Sequence, residues 1–248
     1  MSKQSGLGDH LYIGGFDASG DIGAVNRVGG GPAVLDVTAI NKLAMERIGG
    51  LRDGGIDYTA FFNPGIGGAH AKLAALPTTD VLMTYVRGAT LGGPVACCVA
   101  KQLNHDGTRG DDGAFTFAGA TQGNGHGLEW CTGLTAGKRT DTTATNGTGV
   151  DLGTGPTAFG LQAYLHVFAF TGTSVTVKLQ ESADNGGADT WTDVVGGAFT
   201  AAAGVTSQRI ETARGQTVER YLRAVTTGTF TSAVFAVAVN RNEVETRF

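Results

Sequence analysis

Charge is scarce in this chain. Its 248 residues hold 18 Lys/Arg and 22 Asp/Glu, so 16% are charged, against ~25% in an average globular protein. Low charge with 41% hydrophobic residues excludes an intrinsically disordered chain, which needs high net charge or very low hydrophobicity. No Lys/Arg cluster is present, and divided at residue 150 each part carries −2 (11 Lys/Arg against 13 Asp/Glu, then 7 against 9). Tight binding to phosphates comes from clustered cations, so the chain is a poor candidate for gripping nucleic acid. Cysteine is rare as well: Cys97, Cys98 and Cys131 form no disulfide framework and read as small buried apolar residues. Only 5 Pro accompany the 41 Gly, without a Gly-X-Y period, which excludes collagen. No run approaches the ~18–20 apolar residues of a membrane-spanning helix. Met1–Gly6 lacks a signal peptide's apolar run, so synthesis in a cytoplasm without signal-directed export is expected.

What remains is period-2 alternation broken by Gly, Asn and Asp. Strands are expected at Leu11–Phe16, Ala33–Thr38, Gly55–Phe62, Val81–Arg87, Val95–Leu103 and Ala114–Gln122. More follow at Gly160–Thr171, Ser174–Glu181, Trp191–Val195, Ser207–Glu211, Arg220–Thr226 and Ser232–Asn240. Many short strands with frequent turn signals predict an all-β sandwich or barrel. Val175-Thr-Val-Lys-Leu-Gln180 shows the alternation best, with apolar side chains on one face and polar ones on the other.

Helix is expected in one or two short pieces. Ile40, Leu43, Ala44 and Ile48 fall at near-helical spacing before Gly49-Gly50, which predicts two turns over Ala39–Ile48. A second short helix over Ala69–Leu76 stops at Pro77. Arg52-Asp53-Gly54-Gly55 reads as a tight reversal. Thr135–Pro156 is Thr/Gly/Asn-rich and aperiodic, which reads as a linker. The expected organisation is therefore an N-terminal domain at 1–136, a linker at 137–156 and a C-terminal β-sandwich at 157–248.

Signals for chemistry are weak. No nucleophile elbow, zinc-protease helix or P-loop occurs. His10, His70, His105, His126 and His166 share no metal-ligand spacing with one another or with Cys. His166 reads as a satisfied strand histidine, and His105–Gly113 as a hairpin tip rather than a calcium loop. No carboxylate pair is placed across a substrate. The sequence therefore predicts no enzyme, no cofactor and no metal.

A set of motifs resembles the major tail tube proteins of long-tailed bacteriophages, those of actinobacteria in particular. They are Leu11–Gly15, Leu35–Thr38, Glu46–Gly54, Thr59–Pro64, Ala100–Gln102, Thr108–Asp112 and Gly127–Trp130. Gly160–His166 and Val175–Gln180 extend the match along the chain. The resemblance implies an N-terminal tail-tube β-sandwich or barrel domain and a C-terminal β-sandwich that decorates the tail. It implies self-association into rings, usually six-fold, stacked into a tube around a tape-measure protein. Tail-terminator and tail-tip proteins would be further partners, and double-stranded DNA would pass without specific binding. The expected location is the virion tail, after synthesis in the bacterial host's cytoplasm.

Within that frame, alternation along Gly55–Phe62 places Ile56, Tyr58, Ala60 and Phe62 toward the core, and Asp57 and Thr59 toward the channel. Thr84 and Thr116 are the other channel-facing candidates; the alternative is an ordinary solvated strand face. Contacts between rings or subunits are expected from the arm Met1–His10 including His10, from Arg52 and Asp53, and from Arg109, Asp111 and Asp112 at the hairpin tip. Two other classes fit less well: a phage surface adhesin that binds host-cell glycans without forming a tube, and a β-fold hydrolase with a spatially assembled acid pair.

Overall fold

The computed structural model describes residues 5–65 and 67–246. Met1–Gln4 of the expected N-terminal arm therefore lie outside the described residues. The fold is all-β: sixteen strands and one short helix among the described residues. The first strands are β1 (His10–Ile13), β2 (Phe16–Asp17), β3 (Ile22–Asp36) and β4 (Arg47–Phe61). After helix α1 (Ala69–Leu73) come β5 (Val81–Val86), β6 (Pro94–Gln102), β7 (Asp106–Arg109), β8 (Phe115–Gly119) and β9 (Thr121–Gly123). Then follow β10 (Glu129–Gly133), β11 (Arg139–Asp141), β12 (Val150–Asp151), β13 (Leu161–Ser182), β14 (Thr192–Ala198), β15 (Thr206–Glu211) and β16 (Tyr221–Arg241).

The chain divides into two compact units, and the division differs from the one drawn at 136 and 157. One unit joins the described residues up to Gly20, Leu82–Cys97 and the chain from Glu129 onward; the other is Asp21–Val81 with Cys98–Leu128.

The first unit is organised by the antiparallel hairpin β13–β16, paired from Leu161–Arg241 to Ser182–Tyr221. Each of these strands was expected as two. Bulges between Val167 and Ser174 bend the ribbon without ending it. At that bend Gly228 has φ 123°, and a Cβ there would lie 2.3 Å from the Ser174 carbonyl, so only glycine fits. Leu165, Val167, Val175, Val177 and Leu179, from both sides of the bend, share one core with Leu222, Phe235 and Val237. The second half of β13 alternates buried and half-buried, whereas Leu161–Val167 is buried throughout. Strand β15 flanks that first half, and side chains of this unit close over its polar face.

The stretch expected as a linker is ordered against β16. Strand β11 pairs with Phe235–Ala233 and β12 with Leu222–Tyr221. The cause is a side-chain lock. Arg139 donates twice to the buried Asp141 (2.8 and 2.7 Å), lies over the Phe235 ring, and donates to the Ala224 carbonyl (2.9 Å). Thr226 Oγ1 also donates to Asp141 (2.7 Å). Composition hid this, because three polar side chains do the ordering that apolar ones usually do.

The second unit holds a four-stranded antiparallel sheet in the order β3-β4-β8-β7, with β9 paired to the Ala100–Gln102 end of β6. Alternation along β4 holds as read: Ile56, Tyr58 and Ala60 are buried, Asp57 and Thr59 half-buried. Phe62, expected toward the core, is instead exposed because it lies past the end of β4, although its ring packs edge-on to His70 and Phe115. Helix α1 forms within the expected Ala69–Leu76, its first turn held by the Ala69 N–H donating to Asp21 Oδ2 (2.7 Å).

Two local expectations fail. Residues 39–46 form no helix; they are the loop of the long β3–β4 hairpin. A helix that short is marginal without an apolar surface to cover it, and Ile40 and Leu43 are fully exposed. Nor does Arg52–Gly55 reverse the chain. Gly54 and Gly55 lie mid-strand in β4 because neighbours crowd them: a Cβ would sit 2.6 Å from Leu128 at Gly54 and 2.4 Å from the Thr121 carbonyl at Gly55.

Candidate assembly surface

Strands β3 and β4 are each 15 residues long, but only the root of this hairpin is packed. Strand β8 pairs with Tyr58–Phe61 alone. From Gly30 to Arg52, all residues except Thr38 and Gly50 are exposed. The result is a two-stranded arm holding its shape by its own ladder, with Pro32 opposite Arg52, Leu35 opposite Ile48 and Asp36 opposite Arg47.

The arm's side chains do not suit water. Val34, Leu35, Val37, Ile40, Leu43, Met45, Ile48 and Leu51 are all exposed, Ile40 and Leu43 fully so at 108% and 106%. So many exposed large apolar side chains on one arm mark an interaction surface, not a solvated one. The tip is nonetheless ordered. Thr38 Oγ1 donates to Asp36 Oδ1 (2.6 Å) and accepts the Glu46 N–H (2.8 Å), and Val37 N–H donates to the Glu46 carbonyl (3.0 Å). The arm's charges balance: Asp36, Glu46 and Asp53 against Lys42, Arg47 and Arg52. Covering it therefore buries no net charge.

Open sheet edges accompany the arm. Strands β3 and β7 end the sheet order, and an unpaired edge offers a row of backbone donors and acceptors to another strand.

The structure brings three of the four channel-facing candidates together. Asp57 and Thr59 on β4 and Thr116, opposite Phe61 on β8, share one sheet face by alternation and register. Asp57 accepts the Thr121 N–H (2.8 Å) and lies 3.7 Å from Arg27. Thr59 accepts from Asn26 Nδ2 (2.9 Å). Asp57 is set against Arg27 on this face, which also carries the exposed Phe61. Thr84 is not part of it. It is buried, 3.6 Å from Cys97 Sγ and 2.8 Å from His166 Nε2. The threonine looked channel-facing because period 2 was applied to β5, a strand buried on both faces.

The contact candidates are dispersed. His10 is half-buried on β1 opposite Val86, tilted against Tyr12. Arg52 and Asp53 sit on the arm, where Asp53 accepts from the Gly54 N–H (2.7 Å) and Gln122 (3.1 Å), hydrogen bonds that hold its carboxyl below the usual range. Arg109, Asp111 and Asp112 occupy the exposed end of the β7–β8 hairpin, where Asp112 accepts the Ala114 N–H (3.0 Å). The hairpin tip is thus where it was expected, with β7 as its first arm. The β3–β4 arm itself was not singled out as a site. Its signal was present: Ile40, Leu43, Ala44 and Ile48 fall at near-helical spacing between stretches that pair as strands.

Buried polar clusters in the first unit are structural. His166, 1% exposed, accepts the Gly15 N–H at Nδ1 (3.1 Å), so its proton is on Nε2 and points to Thr84. Burial drives its pKa down to about 3, which keeps it neutral. Tyr164 donates to the buried Glu129 and receives a hydrogen bond from Arg209 (3.3 Å). Burial raises the Tyr164 pKa, and the Glu129 charge adds to it. The cavity beside Thr84, Tyr164 and His166 is about 10 Å³, room for about one water. Among the described residues no group of three or more His, Cys, Asp or Glu is placed to hold a metal ion, and no helix is long and apolar enough to cross a membrane.

No family model matches the chain, and no curated protein matches it in sequence. Solved structures show similarity, among them the following three. A chain in the virion of a native gene transfer agent particle is 15% identical at a TM-score of 0.42, covering 52% of this chain and 98% of its own. A chain from the tail of an empty gene transfer agent particle, refined with helical C6 symmetry, is 17% identical at a TM-score of 0.40 with the same coverage. The SPP1 Dit protein, described as a paradigm of hub adsorption apparatus in phages infecting Gram-positive bacteria, is 12% identical at a TM-score of 0.34, over 94% of this chain and 98% of its own.

Proposed function

We propose that this chain is a structural subunit of a phage tail, which associates with copies of itself into rings that stack as a tube. The observation that carries the reading is the β3–β4 arm, which presents eight large apolar side chains to water in the single subunit. A second copy is the occupant that meets every arm at once, since closed rings satisfy each subunit's surfaces with identical neighbours. Ring closure also removes the open edges of β3 and β7. The order of tail-tube motifs along the sequence supports the same role.

In this reading the Asp57, Thr59 and Thr116 face lines the channel. With few cations it lets DNA slide, because phosphate affinity grows with the number of neutralising Lys and Arg. Arg109, Asp111 and Asp112 reach the adjacent ring, and His10, Arg52 and Asp53 contribute to contacts between subunits. Tape-measure, terminator and tip proteins are the remaining partners, and the chain performs no chemistry. Electron microscopy of the concentrated, purified protein tests this: stacked rings with a central channel at least ~20 Å wide are expected. Monomers under all conditions, with labelling absent from the tails of intact virions, would refute it.

A further inference from the structure

The arm's tip holds a contradiction between its sequence and its shape. Ile40, Leu43 and Ala44 recur at the i, i+3, i+4 spacing of a helix face, yet the segment is an open loop with Ile40 and Leu43 wholly in solvent. Fragments of helical geometry already exist in it. The Lys42 N–H donates to the Ala39 carbonyl (3.0 Å), and Lys42 Nζ pairs with Glu46 Oε1 (2.9 Å) at i, i+4 spacing. Thr38, a favoured N-cap residue, stands before the segment.

We infer that Ala39–Met45 is a folding-on-docking element, which converts from loop to a short helix when the arm seats on a second copy of the chain. This rests on the assembly reading above and adds the conformation of the docked tip. In the lone subunit, the nucleation cost of so short a helix has nothing to offset it. On docking, Ile40, Leu43 and Ala44 bury as one stripe, and that burial supplies what the isolated tip lacks. The β3–β4 ladder at Leu35–Ile48 and Asp36–Arg47 lies outside the segment and stays intact. The hairpin therefore holds both ends of the tip while its conformation changes.

The test uses the full chain in its free and assembled states. Backbone Cα chemical shifts of residues 39–45 are expected to be coil-like in the free subunit and helical in assembled particles by solid-state NMR. Asn41 supplies a second readout, since its side chain is off the Ile40–Leu43–Ala44 stripe. The critical concentration for assembly should be about fivefold higher for Asn41→Gly than for Asn41→Ala, the ratio that helix propensities give, with both free subunits equally stable. Particles whose tip shifts stay coil-like, or equal critical concentrations for the two variants, would overturn the inference and leave the assembly reading standing. Absence of any particles from the parent chain, in vitro and in virions, overturns both.

Discussion

Removing the two most exposed apolar side chains of the arm should abolish assembly without touching the fold. The perturbation is Ile40→Ser with Leu43→Ser. Both side chains are fully exposed, at 108% and 106%, and the hydrogen bonds and ion pair that hold the tip run through Asp36, Val37, Thr38, Ala39, Lys42 and Glu46. The free subunit should therefore change stability by no more than about 0.5 kcal/mol, as for other surface substitutions. Burying each Ile or Leu fully at an interface yields about 1.5–3 kcal/mol. At the lower value the pair contributes about 3 kcal/mol per docked arm, which is a factor of about 100 in equilibrium constant. The assay is the critical concentration for particle formation by sedimentation, alongside urea unfolding of the free subunit. A rise of roughly 100-fold at unchanged unfolding midpoint is expected from that arithmetic. Particles forming at the parent concentration would refute the reasoning that the arm is buried on assembly.

Three further outcomes concern the subunit itself. His166 is held neutral with a pKa of about 3, whereas an unfolded histidine titrates near ~6.5. Its contribution is thus fully present above pH ~6.5 and is lost as pH falls toward 3, because the unfolded chain alone takes up the proton. Unfolding free energy should drop by about 2 kcal/mol between pH 6.5 and 5, above the range where carboxylates titrate; a flat profile there would contradict the buried neutral ring. Thr84→Val leaves the His166 Nε2–H without its acceptor and should cost about 1–3 kcal/mol in urea unfolding. Arg139→Ala leaves Asp141 buried without its cation and should cost about 3 kcal/mol, whereas a flexible linker at that position would register almost no change.

The sequence made the class of fold, β8 and the packed half of β4 legible because burial there follows a simple period, whereas Ile22–Pro32 of β3 and strand β7 were not legible as strands. Ile56, Tyr58 and Ala60 alternate with Asp57 and Thr59 on a strand with one packed face, the case for which period 2 is informative. Thr84 and Leu161–Val167 escaped it, since strands covered on both faces carry no phase. Domain limits were illegible for another reason. Composition marks where apolar residues thin out, but the 137–156 stretch is fixed by Arg139, Asp141 and Thr226. Strand β10 pairs with β16 across more than a hundred residues of chain, a long-range pairing that local composition does not report. The arm was misread because its apolar spacing is helical while its flanks pair as strands, and hydrogen bonds at Asp36, Thr38 and Glu46 settle the free tip as a loop.

The central claim is that the arm is covered by a neighbouring copy in the assembled tail. Thiol labelling of Leu43→Cys tests it directly, because Cys97, Cys98 and Cys131 are buried and leave the introduced thiol as the reactive one. Rapid labelling of the free subunit and strong protection in assembled particles are the expected result. Labelling of assembled particles at the free-subunit rate would show the arm in solvent and contradict the account.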